Sequence, residues 1–186
     1  MNNHEILFAS KSPRREELMK DCGFPFRVEV KETLEIYDSS LSPELAIEQI
    51  ALQKALSISK LYPEHIVLGC DTMVVIHGEP LGKPKDKTDA SRMLHLLCGA
   101  THEVISGVAL VYRGNKILFH EVTEVTFYDA DEEFIQSYVN SPEPYDKAGA
   151  YGIQGAGKLL VRKINGDYYN VMGLPIAKIY RELKKL

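Results

Sequence analysis

The sequence runs to 186 residues, 45% of them hydrophobic and 26% charged; that is the length and balance of one globular domain, and it excludes general disorder. Lys plus Arg number 22 against 26 Asp plus Glu, a formal net charge of −4, which disfavours wrapping duplex nucleic acid but leaves room for a local basic site for an anion. The 3 cysteines, Cys22, Cys70 and Cys98, form no C-x-x-C pair, which argues against a disulfide framework or zinc knuckle and for a reducing, cytoplasmic setting.

Met1 to Ser10 is polar and then strand-like, without a signal-peptide layout. No apolar run approaches the roughly 18–20 residues that span a bilayer, so no membrane association is expected. Glu5 to Ala9 reads as a buried strand. Ser12 is a natural N-cap and Pro13 suits the first helical position, opening a helix to about Asp21 that Gly23 ends. Phe24 to Val30 reads as a second strand and Leu34 to Ser42 as a polar loop. Ser42-Pro43 repeats the cap-and-proline device before a long helix, with Leu45, Ile50, Leu52, Leu56 and Leu61 on its apolar side and Pro63 closing it.

His65 to Ile76 is strand-rich, with an interruption expected at Gly69-Cys70-Asp71-Thr72. Gly78 marks a turn, and Leu81-Gly82-Lys83-Pro84 reads as a loop. Thr88 to Leu97 is a helix with Ala90, Met93, Leu94 and Leu97 inward, stopped by Gly99. His102 to Tyr112 and Lys116 to Tyr128 form a hairpin around Arg113-Gly114-Asn115. Asp131 to Val139 is a helix. Lys158 to Ile164 and Asp167 to Asn170 flank the turn signal Asn165-Gly166, and Pro175 to Leu186 is a terminal helix. Strands and helices alternate early and hairpins dominate late. This predicts an α/β fold whose sheet mixes parallel and antiparallel pairs, open to division into two lobes. Without repeats or linkers, residues 1–186 read as a single domain.

Four segments stand out chemically. Ser10-Lys11-Ser12-Pro13-Arg14-Arg15 passes from strand to helix, and a helix N-terminus favours an anion. Two arginines there are unfavourable by about 0.3–1 kcal/mol each unless an anion offsets them, and arginine grips phosphate oxygens in bidentate fashion. A solvated basic turn is the plain alternative. Asp71 lies between two apolar β runs and is either exposed at a strand break or buried and paired; a carboxylate so placed binds Mg²⁺, acts as a base, or simply stabilises a turn. In Leu81-Gly82-Lys83-Pro84-Lys85 the glycine permits close approach and Lys83 can present an ammonium to phosphate, although no Walker A pattern is present. Asp146 to Gly155 is glycine-rich around Tyr151 and Gln154. The Gln154 amide complements a pyrimidine imide edge, and a connector carrying a surface glutamine is the alternative.

Taken together these segments resemble the Maf family of nucleoside triphosphate pyrophosphatases. The matching stretches are Ala9 to Arg15, Gln53-Lys54-Ala55, Gly69 to Thr72, Leu81 to Pro84, Lys147 to Gly155, and Gly166 to Pro175. The resemblance implies a mixed, elongated, twisted sheet flanked by helices, with two lobes around a deep cleft, similar to the inosine triphosphatases. It implies hydrolysis of a nucleoside triphosphate to the monophosphate and pyrophosphate with a divalent cation, Mg²⁺ or Mn²⁺. The Ala-Tyr-Gly-Ile-Gln-Gly stretch is like that of the subgroup acting on dTTP and UTP. Arg14, Thr72 and Gln154 match the base-specificity positions and Asp71 the proton acceptor, while Ser10, Arg15, Glu35, Lys54 and Lys83 match other active-site positions. Where the family commonly shows paired acids, this chain has Leu34-Glu35.

On that resemblance Arg14, Arg15, Lys54 and Lys83 are expected on the phosphates, helped by backbone N–H groups of Ser10 to Ser12. Glu35 and Asp71 are expected on the metal. Asp71 is expected to act as metal ligand, as base, or as both. Family habit implies a homodimer, and the family's older name implies a link to inhibition of septum formation. A regulatory partner protein is the rival reading, and a nucleic-acid binder is disfavoured by the charge.

Overall fold

The computed structural model describes residues 5–186, and the start of the polar stretch, residues 1–4, lies outside the described residues. The elements run in the order β1 (Ile6–Ala9), α1 (Pro13–Lys20), β2 (Phe26–Val28), α2 (Pro43–Ser59), β3 (Ile66–Ile76), β4 (Glu79–Leu81), α3 (Lys87–Leu97), β5 (Thr101–Tyr112), β6 (Asn115–Phe127), α4 (Glu132–Val139), β7 (Val161–Asn165), α5 (Tyr168–Val171) and α6 (Ile176–Leu183). Three 3₁₀ turns, Glu143–Asp146, Ala148–Ala150 and Ala156–Leu160, fill the glycine-rich region before β7. The seven strands form one sheet in the order β2-β1-β3-β5-β6-β7, with β4 against β3. β1 pairs in parallel with β2 and with β3, whereas β3–β4 and β6–β7 are antiparallel. The expected mixed α/β sheet flanked by helices is therefore present. None of the helices in residues 5–186 is long and apolar enough to cross a membrane.

The chain divides into two compact units, neither contiguous in sequence. One comprises Met1–Thr72, Ser106–Glu121 and Gly173–Leu186, the other Met73–Ile105 and Val122–Met172. Strands β3, β5 and β6 contribute residues to both.

In the first unit, α2 lies on β1, β3 and β5 through a cluster of Leu7, Ala9, Ala51, Ala55, Ile58, Val67, Ala109 and Val111. Ser42 caps α2 and Pro43 opens it as expected. Of its expected apolar side, Ile50 is buried and Leu52 and Leu56 pack partly buried on this cluster, but Leu45 and Leu61 are exposed, and the rest of the buried face is Ala46, Ile47, Ala51, Ala55 and Ile58. The cause is proximity. A Cβ at Gly69 would run into the Ala51 carbonyl and one at Gly107 into the Ile47 carbonyl, so helix and sheet meet where both present their smallest residues. Gly69 is therefore a contact point, not a strand break. β3 runs unbroken from Ile66 to Ile76, which corrects the expected interruption.

In the second unit, α3 and α4 cover a core that includes Val74, Ile76, Leu94, Leu97, Phe127, Ile135 and Tyr151. The inward set of α3 is the expected one: Ala90, Met93, Leu94 and Leu97. Of the segment Lys158 to Ile164 expected before the turn signal, residues 161–164 lie in β7, residues 158–160 belong to the 3₁₀ turn Ala156–Leu160, and residues 168–171 form a helical turn. Asn165-Gly166 is no hairpin turn. Asp167 accepts from Tyr169 N and so starts a helix where the second strand was expected.

Candidate active site

Asp71 sits in the middle of β3. Alternation along a strand puts it on the face of Gly69, toward α2, and puts Cys70 and Thr72 on the opposite face. On the α2 side the Lys54 Nζ donates to Asp71 Oδ1 at 2.8 Å and lies 3.2 Å from Glu35 Oε1. Lys54 and Asp71 keep 18% and 23% of their side-chain surface, so both are sheltered yet reachable. Glu35 arrives from the irregular segment between β2 and α2. That segment is tied down by Gln53, whose Oε1 accepts from Ile36 N at 2.9 Å and whose Nε2 donates to Ile36 O at 3.1 Å.

On the other face, α1 supplies the arginines. Ser12 caps the helix by accepting from Arg15 N, and Ser10 Oγ, nearly buried, accepts from Ser12 N at 3.3 Å. The Arg15 guanidinium donates from Nε to Gly173 O at 2.7 Å, from Nη1 to Cys70 O at 3.2 Å, and from Nη2 to Thr72 Oγ1 at 2.8 Å. Its Nη2 also stands 3.8 Å from Asp71 Oδ1. Protein acceptors thus offset an arginine that the helix dipole disfavours. Arg14, partly buried, precedes it in the same turn. Thr72 Oγ1 shares a 2.8 Å hydrogen bond with Ser106 Oγ. The Gly173 carbonyl also lies within reach of the Thr72 hydroxyl and the Cys70 thiol. Burial pushes the Cys70 thiol up, which makes it a packing group and no thiolate nucleophile.

This unit therefore gathers Ser10, Arg15, Glu35, Lys54, Asp71 and Thr72 around the C-terminal end of β1 and the middle of β3. Two carboxylate oxygens converge on one cation. Among the described residues no group of three or more His, Cys, Asp and Glu side chains stands ready to hold a metal. Such a donor pair suits Mg²⁺ or Mn²⁺, which take one or two carboxylates and complete their shell with water and phosphate oxygens.

The second unit holds Lys83 and Gln154, both exposed. Their two segments are tied together, since Gly149 N donates to Gly82 O at 3.0 Å. The backbone at Gly149 has φ +67, and a Cβ there would press on Val74, so the contact requires glycine. The Gln154 loop is shaped by Glu143. Its carboxylate accepts from Ala156 N at 2.8 Å, Gly157 N at 3.2 Å and Tyr138 OH at 2.8 Å, and Tyr138 OH accepts from Gly152 N at 3.1 Å. Burial raises the Glu143 carboxyl, but these donors together hold it below the usual carboxylate range.

Sequence reasoning gave no role to Gln53, Ser106, Glu143, Tyr138 or Gly173. Gln53 and Gly173 lay within matched motifs, so their positions were marked. Glu143 bonds to residues more than ten positions away, and Ser106 meets Thr72 across 34; no local pattern announces such partners.

The family model described as Maf-like protein matches residues 5–186. A dTTP/UTP pyrophosphatase of Bacillus anthracis (strain CDC 684 / NRRL 3495) is 49% identical over 181 residues, covering 97% of this chain and 95% of that protein. A dTTP/UTP pyrophosphatase of Bacillus cereus (strain ATCC 10987 / NRS 248) is 47% identical over 184 residues, covering 99% and 91%. Among solved structures, the Ham1 protein of Staphylococcus aureus superposes with a TM-score of 0.58 at 15% identity, covering 97% of this chain and 98% of that one. A HAM1 protein from Coxiella burnetii gives 0.59 at 12% identity, covering 98% and 100%. The two structures share the fold, and by the match of the family model and of the Bacillus relatives the chain belongs to the Maf-like protein family.

Proposed function

We propose that this protein hydrolyses dTTP and UTP between the α and β phosphates, giving the nucleoside monophosphate and pyrophosphate. The Bacillus relatives that carry this activity in their names support the reaction. The observation that carries the reading on this chain is the convergence of Asp71 and Glu35 on Lys54 Nζ. A triphosphate is strongly anionic, so a site that hydrolyses it must neutralise charge and align a water with the α-phosphorus.

In this reading the Asp71 carboxylate orients the water and takes its proton as the water oxygen bonds to the α-phosphorus. The bond to the bridging oxygen breaks and pyrophosphate departs with its electron pair. Lys54, Arg14 and Lys83 bind phosphate oxygens; of the N–H groups of Ser10 to Ser12, those of Ser10 and Ser12 already donate to Phe8 O and Ser10 Oγ, so the assisting one is that of Lys11. Arg15 is committed through three N–H groups to Gly173, Cys70 and Thr72, so it fixes β3 and adds its charge to the phosphate field. Glu35 and Asp71 would hold a divalent cation, Mg²⁺ or Mn²⁺, which supplies charge neutralisation when bound. Gln154 hydrogen-bonds the O4/N3–H edge shared by uracil and thymine, assisted by Arg14 and Thr72. Modified pyrimidine triphosphates that keep this edge are substrates of the same site. The reading places the enzyme in the cytoplasm, acting on free nucleotides as a homodimer, with any effect on septation following from turnover.

The test is to incubate the purified protein with Mg²⁺ and each nucleoside triphosphate and to score pyrophosphate against orthophosphate. Pyrophosphate from dTTP and UTP is expected. Orthophosphate as the first product would exclude cleavage at the α–β bond.

A further inference from the structure

The segment between β2 and α2 has no regular structure and gains little from burial, since Leu34 and Ile36 keep 81% and 60% of their surface. Among the described residues the other hydrogen bonds of residues 31–41 are internal: Thr33 Oγ1 donates to Lys31 O, Ser40 bonds Asp38 Oδ1 through its amide and hydroxyl, and Leu41 N donates to Asp38 O. Among the described residues, two polar links tie these residues to the rest of the unit. One is the Glu35–Lys54 ion pair at 3.2 Å. The other is the Gln53 carboxamide, which accepts from Ile36 N and donates to Ile36 O. The links form adjacent rungs, because Gln53 precedes Lys54 on the helix as Ile36 follows Glu35 in the loop. An amide with one acceptor and two donors can satisfy both backbone groups of one residue at once. A single ion pair between long side chains fixes a loop poorly, because both partners keep their rotamer freedom.

From this geometry we infer that Gln53 is a positioning residue. Its paired hydrogen bonds to Ile36 hold the loop in the register that carries the Glu35 carboxylate to Lys54 and Asp71, and so set the affinity of the site for its divalent cation. The inference rests on the assignment of Glu35 to that cation. The residue touches no reacting atom. It acts as the outer partners of metal ligands act, where removal typically weakens metal binding by about 10–100-fold.

The test uses the full chain with Gln53→Met, which keeps length and helix propensity and removes both bonds. In metal-free, nucleotide-free protein, amide exchange in residues 31–41 should accelerate by about tenfold, the scale of one lost hydrogen bond, with the melting temperature little changed. Gln53→Glu keeps an acceptor for Ile36 N and should restore part of that protection. In dTTP hydrolysis the half-saturating Mg²⁺ concentration should rise about tenfold while kcat at saturating Mg²⁺ stays within about threefold. Unchanged exchange in Gln53→Met would overturn the inference. So would faster exchange with an unaltered Mg²⁺ requirement while Glu35→Gln raises it. If Glu35→Gln itself left the Mg²⁺ requirement unaltered, the assignment of Glu35 to the metal would fall, and the consequence drawn for Gln53 with it; that pattern is distinct from the first two.

Discussion

Lys54 and Asp71 meet at 2.8 Å because Gly69, two residues before Asp71 on the same face of β3, lets α2 settle against the strand. A methyl group at Gly69 would strike the Ala51 carbonyl and press on Ala55 N at 2.9 Å. Strand and helix therefore approach by backbone contact, and the ion pair is a consequence of that approach. Gly69→Ala should cost about 1–3 kcal/mol, as overpacking does, and lower turnover by shifting Lys54 away from Asp71. Thermal melting and dTTP hydrolysis measured on the same sample check this; a fully stable, fully active variant would show that the approach has slack.

Asp71→Asn separates chemistry from structure. The amide keeps the size of the side chain but neither takes a proton well nor draws the Lys54 ammonium as strongly. Turnover of dTTP should fall by about 10²–10⁴-fold, the range for loss of a general base. Stability should change by about 1 kcal/mol or less, because the pair is partly solvated and Lys54 retains Glu35. Initial rates of pyrophosphate release decide the matter, and near-normal rates would remove Asp71 from the chemistry.

Gly173 occupies φ +106, and its carbonyl accepts from Arg15 Nε and lies within reach of the Thr72 hydroxyl and the Cys70 thiol. A Cβ there would stand 3.3 Å from Arg15 Nε and 3.4 Å from Thr72 Oγ1. Gly173→Ala therefore combines backbone strain of about 1–3 kcal/mol with pressure on the arginine. Arg15→Lys removes the fork without adding strain, because an ammonium cannot reach acceptors on two chain segments as a planar guanidinium does. Both variants should lower kcat, but only Gly173→Ala should lower the melting temperature strongly.

These relationships show what the sequence could and could not carry. The caps at Ser12 and Ser42, the inward face of α3 and the hairpin between β5 and β6 are local, and each was legible from neighbouring residues. The buried face of α2 was read only in part: Ile50 is inside and Leu52 and Leu56 border the core, but Leu45 and Leu61 are exposed, and the close approach to Gly69 calls for alanine at 51 and 55, which hydrophobicity ranks below leucine. The strand break expected at Gly69 failed for the same reason: the glycine answers to a helix lying over it. At the site, residue types were readable and partnerships were not. Nothing near Arg15 in sequence says that its guanidinium goes to Gly173, 158 positions away.

Glu143 gives a prediction about selectivity. Its carboxylate accepts from Ala156 N, Gly157 N and the Tyr138 hydroxyl, all donors. Glu143→Gln puts an amide NH₂ against at least one of them and should cost about 1–3 kcal/mol, the penalty for a mismatched polar group. The loop carrying Gln154 should loosen, and the preference for UTP over CTP should shrink, as it should more directly in Gln154→Ala. The Glu143 carboxyl is held below its ordinary 4.5, so its contribution is full above that pH and is lost as the pH falls further. Selectivity ratios measured for both variants are the check; a ratio unchanged in Gln154→Ala would mean that another group reads the base.

His102 makes the second unit acid-sensitive. It is 2% exposed, packs edge-on against Phe127 and Tyr151, and its Nε2 shares a 2.8 Å hydrogen bond with Tyr151 OH. Among the described residues Nδ1 has no partner, and no carboxylate is bonded to the ring to stabilise a positive charge. Burial lowers its pKa from the ordinary 6.5 to about 4. The unfolded chain therefore takes up this proton as the pH falls below 6.5, while the folded chain resists until about 4. Stability should be full above 6.5, decline between those two values by about 3 kcal/mol at most, and level off once the folded state also binds the proton. His102→Gln keeps a polar group for Tyr151 and carries no titrating ring. Chemical denaturation at closely spaced pH values should show the decline in the wild type and a shallower curve in His102→Gln, with the carboxylates common to both accounting for what remains. Parallel curves for the two proteins between pH 6.5 and 4 would mean that the ring takes up its proton in the folded state without cost.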